Sequence, residues 1–242
     1  MSDHRLYDDL AAWWPVITPP EDRADLAERC LELLTDAVGA PLRSLLELGA
    51  GVGPMATHWP DELDVVLVDR APGMVAVSRE LNPGREHVVA DLCTVELDRT
   101  FDAVLLHDAI MYLTTIEQLR AALSTARRHL RSGGALLLVP DEVRETWEPT
   151  TVMGGGERDE RSARLMEWHW DPDPTDRTVQ VELALLLRDA DGGVISVHDR
   201  HEMALYTRDE LWAELRAAGF LPVEADPWLA AQIGEAFLSR AP

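Results

Sequence analysis

Lysine is absent from this chain of 242 residues, in which arginine supplies all 22 basic side chains. Its absence excludes the lysine of a phosphate-binding P-loop, a lysine that forms a Schiff base with pyridoxal phosphate, and a lysine general base. The chain has 44 acidic residues and a formal net charge of −22 at pH 7. Because binding to a phosphate backbone requires clustered cations, we expect no nucleic-acid partner.

Long apolar runs and cysteine are also scarce. No segment approaches the roughly 20 consecutive apolar residues that a membrane helix requires, and the first residues do not have the apolar core of a secretory signal. We therefore expect a cytoplasmic protein without membrane contact. The two cysteines, Cys30 and Cys93, stand apart in apolar surroundings, which favours buried thiols. No group of cysteines and histidines has the spacing of a zinc site, so we expect no metal centre.

A segment with three alternate glycines, the first of them Gly49, is the most informative part of the chain. The mostly apolar residues 44–48 before it predict a buried strand of a parallel sheet. Glycine lacks a Cβ, so the backbone can turn sharply there and approach a ligand closely. Residues 54–59 predict the start of a helix whose free N–H groups would face that ligand. A dinucleotide fingerprint requires a further glycine where this chain has Pro54.

Two aspartates follow predicted strands in the order that a nucleotide site requires. The apolar segment 64–68 predicts a strand ending at Asp69, about 20 residues after the glycine turn, where a carboxylate can accept from both ribose hydroxyls. A second predicted strand, residues 87–92, carries Asp91 near its end. A single aspartate at such a place is commonly a loop cap, but two in this order favour a ligand site.

The segments that follow continue to alternate between strands and helices. Residues 101–106 predict a strand that ends at His107 and Asp108, and residues 135–139 predict the next strand. Between them, the segment from Thr114 to Glu117 has the spacing of a capping box and predicts the start of a helix. This alternation predicts a doubly wound parallel sheet.

The arrangement resembles that of the class I S-adenosylmethionine (SAM) dependent methyltransferases, whose first motif corresponds to Glu47-Leu48-Gly49-Ala50-Gly51-Val52-Gly53. The ligand motifs of that family have counterparts within residues 43–140. The resemblance implies an α/β fold with a doubly wound, Rossmann-like methyltransferase sheet, built from residues 41–140 and 207–242, that binds SAM as methyl donor. The residues assigned to SAM on this basis are Tyr7, Glu47, Gly49, Ala50, Gly51, Asp69, Arg70, Met74, Asp91, Leu92 and His107.

The last part of the chain fits the same fold. Thr207 to Glu210 has capping-box spacing and predicts a helix that continues to Ala218. A strand is expected at 221–225, and residues 236–239 would form the antiparallel edge strand that such folds carry.

Residues 1–40 are predicted to form a helical cap over the ligand. Apolar side chains recur at helical spacing over residues 5–14, and this helix is expected to end at Pro15. A second helix is expected from residue 21 to about residue 38, where a glycine follows. Tyr7 would either reach the site or pack within the cap.

An antiparallel β insertion is predicted after the fifth strand, over residues 141–206. Strands are expected at 165–170, 178–188 and 194–206, preceded by a mobile loop from Gly154 to Arg161. Its position beyond the carboxyl ends of the parallel strands predicts an acceptor-site wall, a dimer interface or both, which leaves a homodimer open.

Three residues are candidates for catalysis. His107 and Asp108 stand where the methyl group should be, and His107 is the first candidate for proton transfer because histidine titrates near neutrality. In the competing interpretation, the residues there contact only the methionyl part of SAM through their backbone. His169 lies between two tryptophans and would face away from both, toward the acceptor cavity or into sheet packing. His198 and His201 are expected on opposite faces of one strand.

We therefore predict methyl transfer from SAM to a small molecule, in secondary metabolism, with nitrogen favoured over oxygen. An amine needs alignment with the methyl group and loss of a proton, whereas a hydroxyl needs a base. The layout is similar to that of bacterial small-molecule N-methyltransferases, including those that act on amino groups of nucleotide-linked sugars. The alternatives are a SAM-binding protein that transfers no methyl group, as a regulator or through other sulfonium chemistry, and a nucleotide-sugar or nicotinamide enzyme, which the glycine pattern and Asp91 disfavour.

Overall fold

Two β-sheets and the helices around them make up the described part of the structure, a computed structural model that describes residues 5–225 and 234–242. In chain order the strands are β1 (Ser44–Leu48), β2 (Asp64–Asp69), β3 (Glu86–Val89), β4 (Phe101–His107), β5 (Leu130–Val139), β6 (Thr150–Gly154), β7 (Glu157–Arg158), β8 (Arg161–Trp170), β9 (Thr178–Arg188), β10 (Val194–Ala204), β11 (Leu221–Pro222) and β12 (Phe237–Arg240). The α-helices are α1 (Trp14–Ile17), α2 (Ala24–Val38), α3 (Pro72–Leu81), α4 (Ile116–Arg128) and α5 (Arg208–Ala217).

The first sheet has the strand order β11-β12-β5-β4-β1-β2-β3. Strands β1 to β5 run parallel, whereas β12 is antiparallel to both β5 and β11. Nearly all residues of β1, β2 and β4 are buried, as expected for parallel strands covered by helices on both faces. The predicted doubly wound, Rossmann-like sheet is confirmed. The antiparallel strand predicted at 236–239 is β12, but it is not the edge strand, because β11 pairs with its outer side.

Local signals determine where the helices begin and end. Helix α2 ends at Gly39, whose φ of 74° is the left-handed conformation that favours glycine. Thr115 and Gln118 form the capping box of α4, one residue later than the sequence predicts. Thr207 and Glu210 form the capping box of α5, as predicted. Among residues 5–225 and 234–242, no helix combines the length and the apolar character needed to cross a membrane.

The first residues do not form the helix predicted over 5–14. They form two 3₁₀ turns, Arg5–Tyr7 and Ala11–Trp13, and then the short helix α1. Pro15 does not end a helix. It lies in the first turn of α1, where the missing N–H of proline costs no intrahelical hydrogen bond.

The helix predicted from residue 54 is reduced to one 3₁₀ turn, Ala56–His58. Trp59 precedes Pro60, and a residue before proline is driven into extended backbone, so its ψ of 148° ends the turn. Within the described chain the next α-helix begins only at Pro72. The prediction that residues 54–59 start a helix is therefore wrong beyond this single turn.

The second sheet has the order β10-β9-β8-β6, with β7 paired to β8, and all of its pairings are antiparallel. The antiparallel insertion is thus present. The predicted loop from Gly154 to Arg161 is instead the end of β6 followed by the tight hairpin of β7 and β8, with Asp159 and Glu160 at positive φ in the turn.

The inner face of the second sheet is covered by the N-terminal segment, here meaning residues 5–17. Alternate residues of β9 point inward and are buried. They form one apolar cluster with side chains of the N-terminal segment: Leu6, Leu10, Trp13, Val16 and Ile17 against Ala163, Val181, Leu183, Leu185, Leu187 and Val197. The first residues of the chain therefore complete the core of a sheet made by residues 150–204.

Candidate active site

A cavity of about 210 Å³ opens at the carboxyl ends of β1, β2 and β4, the edge at which open parallel sheets bind ligands. Asp108 and all of the residues that the sequence assigns to SAM border it: Tyr7, Glu47, Gly49, Ala50, Gly51, Asp69, Arg70, Met74, Asp91, Leu92 and His107. The topology explains this grouping, because strands that are distant in sequence end side by side.

The three glycines of the turn after β1 have φ of 78°, 57° and 64°, but their surroundings differ. A Cβ at Gly49 would lie 2.1 Å from the Cβ of Ala109, and one at Gly53 would lie 2.7 Å from Oγ of Ser78. These two glycines permit close packing of protein on protein. A Cβ at Gly51 would meet no protein atom within 4 Å, because Gly51 faces the cavity. Gly51 is the glycine that leaves room for a ligand.

Asp69 and Asp91 differ in how firmly they are held. Asp69 accepts hydrogen bonds from the backbone N–H of Gly51 at 2.8 Å and of Ala71 at 2.9 Å. Burial raises the pKa of its carboxyl above the usual value, although both hydrogen bonds oppose the rise. Asp91 is exposed, lies beyond the end of β3, and accepts a hydrogen bond from the N–H of Cys93 at 2.7 Å.

Glu47 in β1 is only 3% exposed. Burial raises the pKa of its carboxyl to about 8, and the charges of Asp69 and Asp108 add to the rise. Its Oε2 is buried without a hydrogen-bond partner among the described residues. Because an unpaired buried acceptor is costly, this carboxyl suits a cationic ligand group that would pair with it and favour its ionised form.

His107 ends β4 and Asp108 follows it, and both residues border the cavity. Nδ1 of His107 lies 3.1 Å from Oδ2 of Asp108, and the Asp108 carboxylate is also hydrogen-bonded to Asp141, just beyond β5. Burial opposes ionisation of Asp108, but the hydrogen bonds from His107 and Asp141 outweigh it and hold the pKa of Asp108 below its usual value. Burial and the adjacent Asp108 charge raise the pKa of Asp141 well above its usual value.

The backbone of Asp108 is unusual. Its φ of 55° with ψ of −42° is a conformation that residues with a side chain rarely adopt and that costs of the order of 1–3 kcal/mol. Its N–H donates to the carbonyl of Val139 at 2.9 Å, and its carbonyl accepts from the N–H of Met111 at 2.9 Å. These two bonds hold the carboxylate at the cavity in spite of the strain.

Tyr7 and Tyr112 also border the cavity and touch each other. Their hydroxyl oxygens lie 2.5 Å apart, and their rings meet edge to face with centroids 5.6 Å apart. Tyr7 also packs on Trp14, with centroids 5.4 Å apart. The N-terminal segment therefore brings Tyr7 to the cavity and also packs around it, and a contact of Tyr7 with SAM stays a prediction.

Residues 46–138 match the profile of a family described as "Methyltransferase domain". The chain is a SAM-dependent methyltransferase. It transfers the methyl group to a small molecule. The alternatives of a SAM-binding protein without methyl transfer, and of an enzyme whose glycine turn binds a nicotinamide or nucleotide-sugar ligand in place of SAM, are thereby set aside.

The methyltransferase is similar in sequence to two characterised enzymes. It is 28% identical over 185 residues, 73% of this chain and 74% of the relative, to the dTDP-3-amino-3,4,6-trideoxy-α-D-glucopyranose N,N-dimethyltransferase of Streptomyces venezuelae. It is 27% identical over 194 residues, 76% of this chain and 72% of the relative, to the dTDP-3-amino-3,6-dideoxy-α-D-glucopyranose N,N-dimethyltransferase of Streptomyces fradiae.

Solved structures share the fold over nearly the whole methyltransferase. DesVI of Streptomyces venezuelae superposes with a TM-score of 0.80 at 23% identity, covering 91% of this chain and 92% of DesVI. The SAM-bound amino pentose methyltransferase CalS10 of Micromonospora echinaspora, involved in calicheamicin biosynthesis, superposes with a TM-score of 0.76 at 25% identity, covering 90% of this chain and 91% of CalS10.

His169, the third catalytic candidate of the methyltransferase, is not among the residues that border the cavity. Its Nε2 lies 3.1 Å from Oε2 of Glu167, on the inner face of β8. Trp168 and Trp170 lie on the opposite face, where their rings stack with centroids 5.9 Å apart, so the predicted orientation of His169 is confirmed. A role for His169 in the acceptor site stays a prediction.

Sequence reasoning missed several residues that border the cavity: Trp14, Arg23, Met55, Tyr112 and Gln118. Tyr112 could have been found, because it follows Asp108 in the loop at the carboxyl end of β4, where ligand contacts are expected. Trp14 and Arg23 carry no such signal. Trp14 reaches the cavity because the N-terminal segment packs against the second sheet, whereas Arg23 lies in the 3₁₀ turn that leads into α2.

Proposed function

We propose that this methyltransferase N-methylates the amino group of a nucleotide-linked amino sugar. Both characterised relatives are named as N,N-dimethyltransferases of dTDP-linked 3-amino sugars, and they align with about three quarters of this chain. CalS10, which shares the fold over 90% of the chain, is named an amino pentose methyltransferase. These similarities favour an amine acceptor carried on a sugar nucleotide.

The observation in this chain that carries the proposal is the carboxyl pair Asp108 and Asp141. Although burial opposes its ionisation, the pKa of Asp108 is lowered by His107, by the hydrogen bond with Asp141 and by the charge of Arg23, so Asp108 brings a carboxylate to the cavity. A protonated amine is attracted by such a charge, whereas a sugar hydroxyl gains no comparable charge interaction. The pair therefore selects an ammonium group in preference to a hydroxyl.

Residues around the cavity fit SAM, which when bound supplies a methyl group on an activated sulfonium centre. We assign Asp69 to the ribose hydroxyls, Asp91 to the adenine amino group and Leu92 to the face of the adenine ring. Glu47 would pair with positive charge on the donor, because its buried Oε2 has no partner among the described residues. The other residues assigned to SAM from the sequence line the rest of the cavity, and Gly51, which has no side chain, leaves space there for SAM.

The reaction places two demands on the residues at the end of β4. The acceptor nitrogen must be aligned with the methyl carbon, and an ammonium must first lose a proton. Asp108 is suited to the first task, because its backbone hydrogen bonds and the His107 contact fix the direction of the carboxylate. His107 would orient Asp108 and offers one route for the proton.

The insertion, residues 141–206, is proposed to shape the acceptor site with its inner face and to dimerise through its outer face. The outer face of the second sheet carries five exposed apolar side chains, Met153, Met166, Trp168, Leu186 and Val194, together with charged ones such as Glu182 and Arg200. Met153 is 81% exposed and Val194 is 60% exposed. Exposed apolar side chains of this kind, with charged groups beside them, suit burial against a second copy of the chain.

The proposed function is tested by incubating the purified enzyme and SAM with dTDP-3-amino-3,4,6-trideoxy-α-D-glucopyranose and with the analogue that carries a hydroxyl at C3. Mass spectrometry should show addition of one or two methyl groups to the amino sugar and none to the hydroxyl analogue. Asp108→Asn should raise KM for the amino sugar about tenfold or more, a loss of about 1.4 kcal/mol or more, with SAM affinity unchanged. The exposed Asp98→Asn is the matched control. Equal methylation of both sugars would contradict the proposal.

We further propose that the enzyme acts in the cytoplasm, where SAM and sugar nucleotides are available, and binds no nucleic acid. The net charge of −22 supports the second statement. Cell fractionation and gel-shift titration with DNA and RNA at low salt test the two statements separately, and a salt-sensitive complex in the titration would refute the second.

A further inference from the structure

Four side chains form a continuous line that starts at the cavity and ends in the second sheet. The hydroxyl of Tyr7 lies 2.5 Å from that of Tyr112, and the Tyr112 hydroxyl lies 2.8 Å from Nδ1 of His201. On the other side of the imidazole, Nε2 of His201 lies 3.4 Å from Oδ2 of Asp199. The same Asp199 oxygen accepts a hydrogen bond of 3.0 Å from the N–H of Leu6. The last residue of the line, Asp199, is therefore bonded to Leu6, which precedes Tyr7 in the chain.

The two ends of this line differ in their access to solvent. Tyr7 and Tyr112 border the cavity, whereas His201 is 1% exposed and Asp199 is 8% exposed. The rings pack closely, with centroids 5.3 Å apart for Tyr7 and His201 and 5.7 Å apart for Tyr112 and His201. A buried imidazole beside a buried carboxylate is thus connected to the reaction cavity through two hydroxyl groups.

We propose that His201, oriented by Asp199, takes up the proton that the acceptor amine loses, and that Tyr112 and Tyr7 pass it on. This inference rests on the proposed function, because it requires an ammonium group in the cavity. His201 is a positioning and proton-accepting residue in the second sheet and does not touch the acceptor. The insertion would then contribute to the chemistry as well as to the shape of the site.

The proton transfer balances without a further reactant. One N–H bond of the acceptor ammonium breaks, its electron pair stays on nitrogen, and an O–H bond forms at Tyr7. Tyr7 gives its own hydroxyl proton to the oxygen of Tyr112, and Tyr112 gives its proton to Nδ1 of His201. Either hydroxyl can donate in the contact between Tyr7 and Tyr112, so after methyl transfer the imidazolium can return its proton through Tyr112 and Tyr7 to water in the cavity. The imidazolium is stabilised by Asp199.

The charged groups around these four side chains determine which of them holds the transferred proton. Tyr7 faces the carboxyl groups of Asp69, Asp108 and Asp141, and Tyr112 faces those of Asp141 and Glu167. Burial, reinforced by these negative charges, raises the pKa of both tyrosines well above the usual value, so both hydroxyls remain protonated near neutrality. They therefore pass protons by exchange and do not act as phenolate bases. His201, with Asp199 beside it, is the group on the line that gains most from a positive charge.

A purely structural role would also explain why these groups are in contact, because the Leu6–Asp199 hydrogen bond ties the N-terminal segment to β10. Such a role affects stability and the affinity for ligands. It does not make the rate of the chemical step depend on an imidazole that must be neutral to accept a proton. The pH dependence of a single turnover therefore separates the two roles.

The experiment compares wild type with His201→Asn, whose side-chain oxygen can still accept from Tyr112 but cannot take up a proton. Single-turnover methylation of dTDP-3-amino-3,4,6-trideoxy-α-D-glucopyranose is measured from about pH 5.5 to about pH 9, with SAM affinity and thermal unfolding measured in parallel. We expect a rate about 10²-fold lower near pH 7, loss of the fall in rate at low pH, and unchanged SAM affinity. Tyr112→Phe, which keeps the ring, should give the same profile. The exposed His198→Asn in the same strand is the matched control.

The outcomes are distinguishable. A wild-type enzyme that methylates the amino sugar, together with variants that keep its rate and its pH profile, overturns the relay and leaves the proposed function intact. A wild-type enzyme that does not methylate the amino sugar refutes the proposed function and the relay with it. Should His201→Asn fail to fold, Tyr112→Phe alone decides between the first outcome and support for the relay.

Discussion

The backbone N–H of Gly51 donates a 2.8 Å hydrogen bond to Oδ2 of Asp69, so the glycine turn after β1 is joined to the end of β2. The residue assigned to the ribose therefore also holds the glycine that leaves room for the ligand. A substitution at Asp69 should affect both the direct contact and the shape of the turn.

Asp69→Asn should weaken SAM binding by about 1–3 kcal/mol, or roughly 5- to 150-fold in Kd. The amide keeps the shape of the side chain but loses its charge and one acceptor oxygen. Calorimetric titration with SAM measures the change, and Glu80→Gln on the exposed side of α3 removes a charge without touching the cavity. A SAM affinity of Asp69→Asn equal to that of Glu80→Gln would show that Asp69 does not bind SAM.

Gly51→Ala and Gly39→Ala form a matched pair. Both glycines have positive φ, 57° and 74°, and a Cβ at either would meet no protein atom within 4 Å. The two substitutions should therefore cost similar stability, of the order of 1 kcal/mol, but only Gly51→Ala puts a methyl group into the cavity. We expect tight SAM binding to be lost in Gly51→Ala and retained in Gly39→Ala.

Gly49→Ala should behave differently from both. Its Cβ would lie 2.1 Å from the Cβ of Ala109, so the turn after β4 would have to move. Thermal unfolding should show a larger loss of stability than at Gly51 or Gly39. A Tm equal to that of Gly39→Ala would contradict the packing described for this glycine.

The stability of the ligand-free enzyme should depend on pH through Glu47. Burial raises the pKa of this carboxyl to about 8 in the folded protein, whereas a solvated glutamate in an unfolded chain has its ordinary pKa of 4.5. Between these values the folded protein holds the extra proton, so the free energy of unfolding decreases as the pH rises from about 5 to about 8. Glu47→Gln removes this contribution.

Denaturant unfolding at about pH 5 and about pH 8 tests this effect. The free energy of unfolding of Glu47→Gln, taken relative to that of wild type, should increase by about 2–4 kcal/mol from about pH 5 to about pH 8. Because a cationic ligand favours the carboxylate, SAM binding near pH 7 should also release a proton from wild type and not from the variant. Titration calorimetry in buffers of different ionisation enthalpy measures that release, and equal proton release in both proteins would exclude Glu47 as its source.

Met153→Glu should dissociate the proposed homodimer. Met153 is 81% exposed on the outer face of the second sheet, and a charge there would have to be buried in the interface. Sedimentation velocity should show a two-chain species for wild type and a dimer dissociation constant increased about tenfold or more in the variant. Ile195→Glu, at an exposed position on the other face, is the control. A monomeric wild type would end the dimer proposal.

The sequence was most informative where one local signal sufficed. The apolar strands, the glycine turn and Asp69 could be placed because parallel strands end at a common edge, so residues far apart in the chain meet there. The capping box at Thr207 is equally local, and the structure shows it as predicted. Two adjacent threonines made the box at Thr115 ambiguous by one residue, since both positions satisfy the same spacing.

Other features depended on contacts that no local pattern encodes. Pro15 is compatible with either the end or the first turn of a helix, and the packing of its neighbours on the second sheet decides between them. Tyr112 and His201 are separated by 89 positions and meet only because the insertion folds back over the site. Their contact follows from the tertiary arrangement of β10, which the sequence pattern predicts as a strand without predicting what it faces.

The use of the N-terminal segment as core for the second sheet has a consequence for synthesis on the ribosome. Leu6 is bound to Asp199, 193 positions later, so its partner strands do not yet exist when it leaves the ribosome. At about 5–20 residues per second, roughly 10–40 s pass before β10 has been made. During that interval Leu6, Leu10 and Trp13 have no sheet to cover, so these apolar side chains lack their final partners for most of the time that the chain is being made.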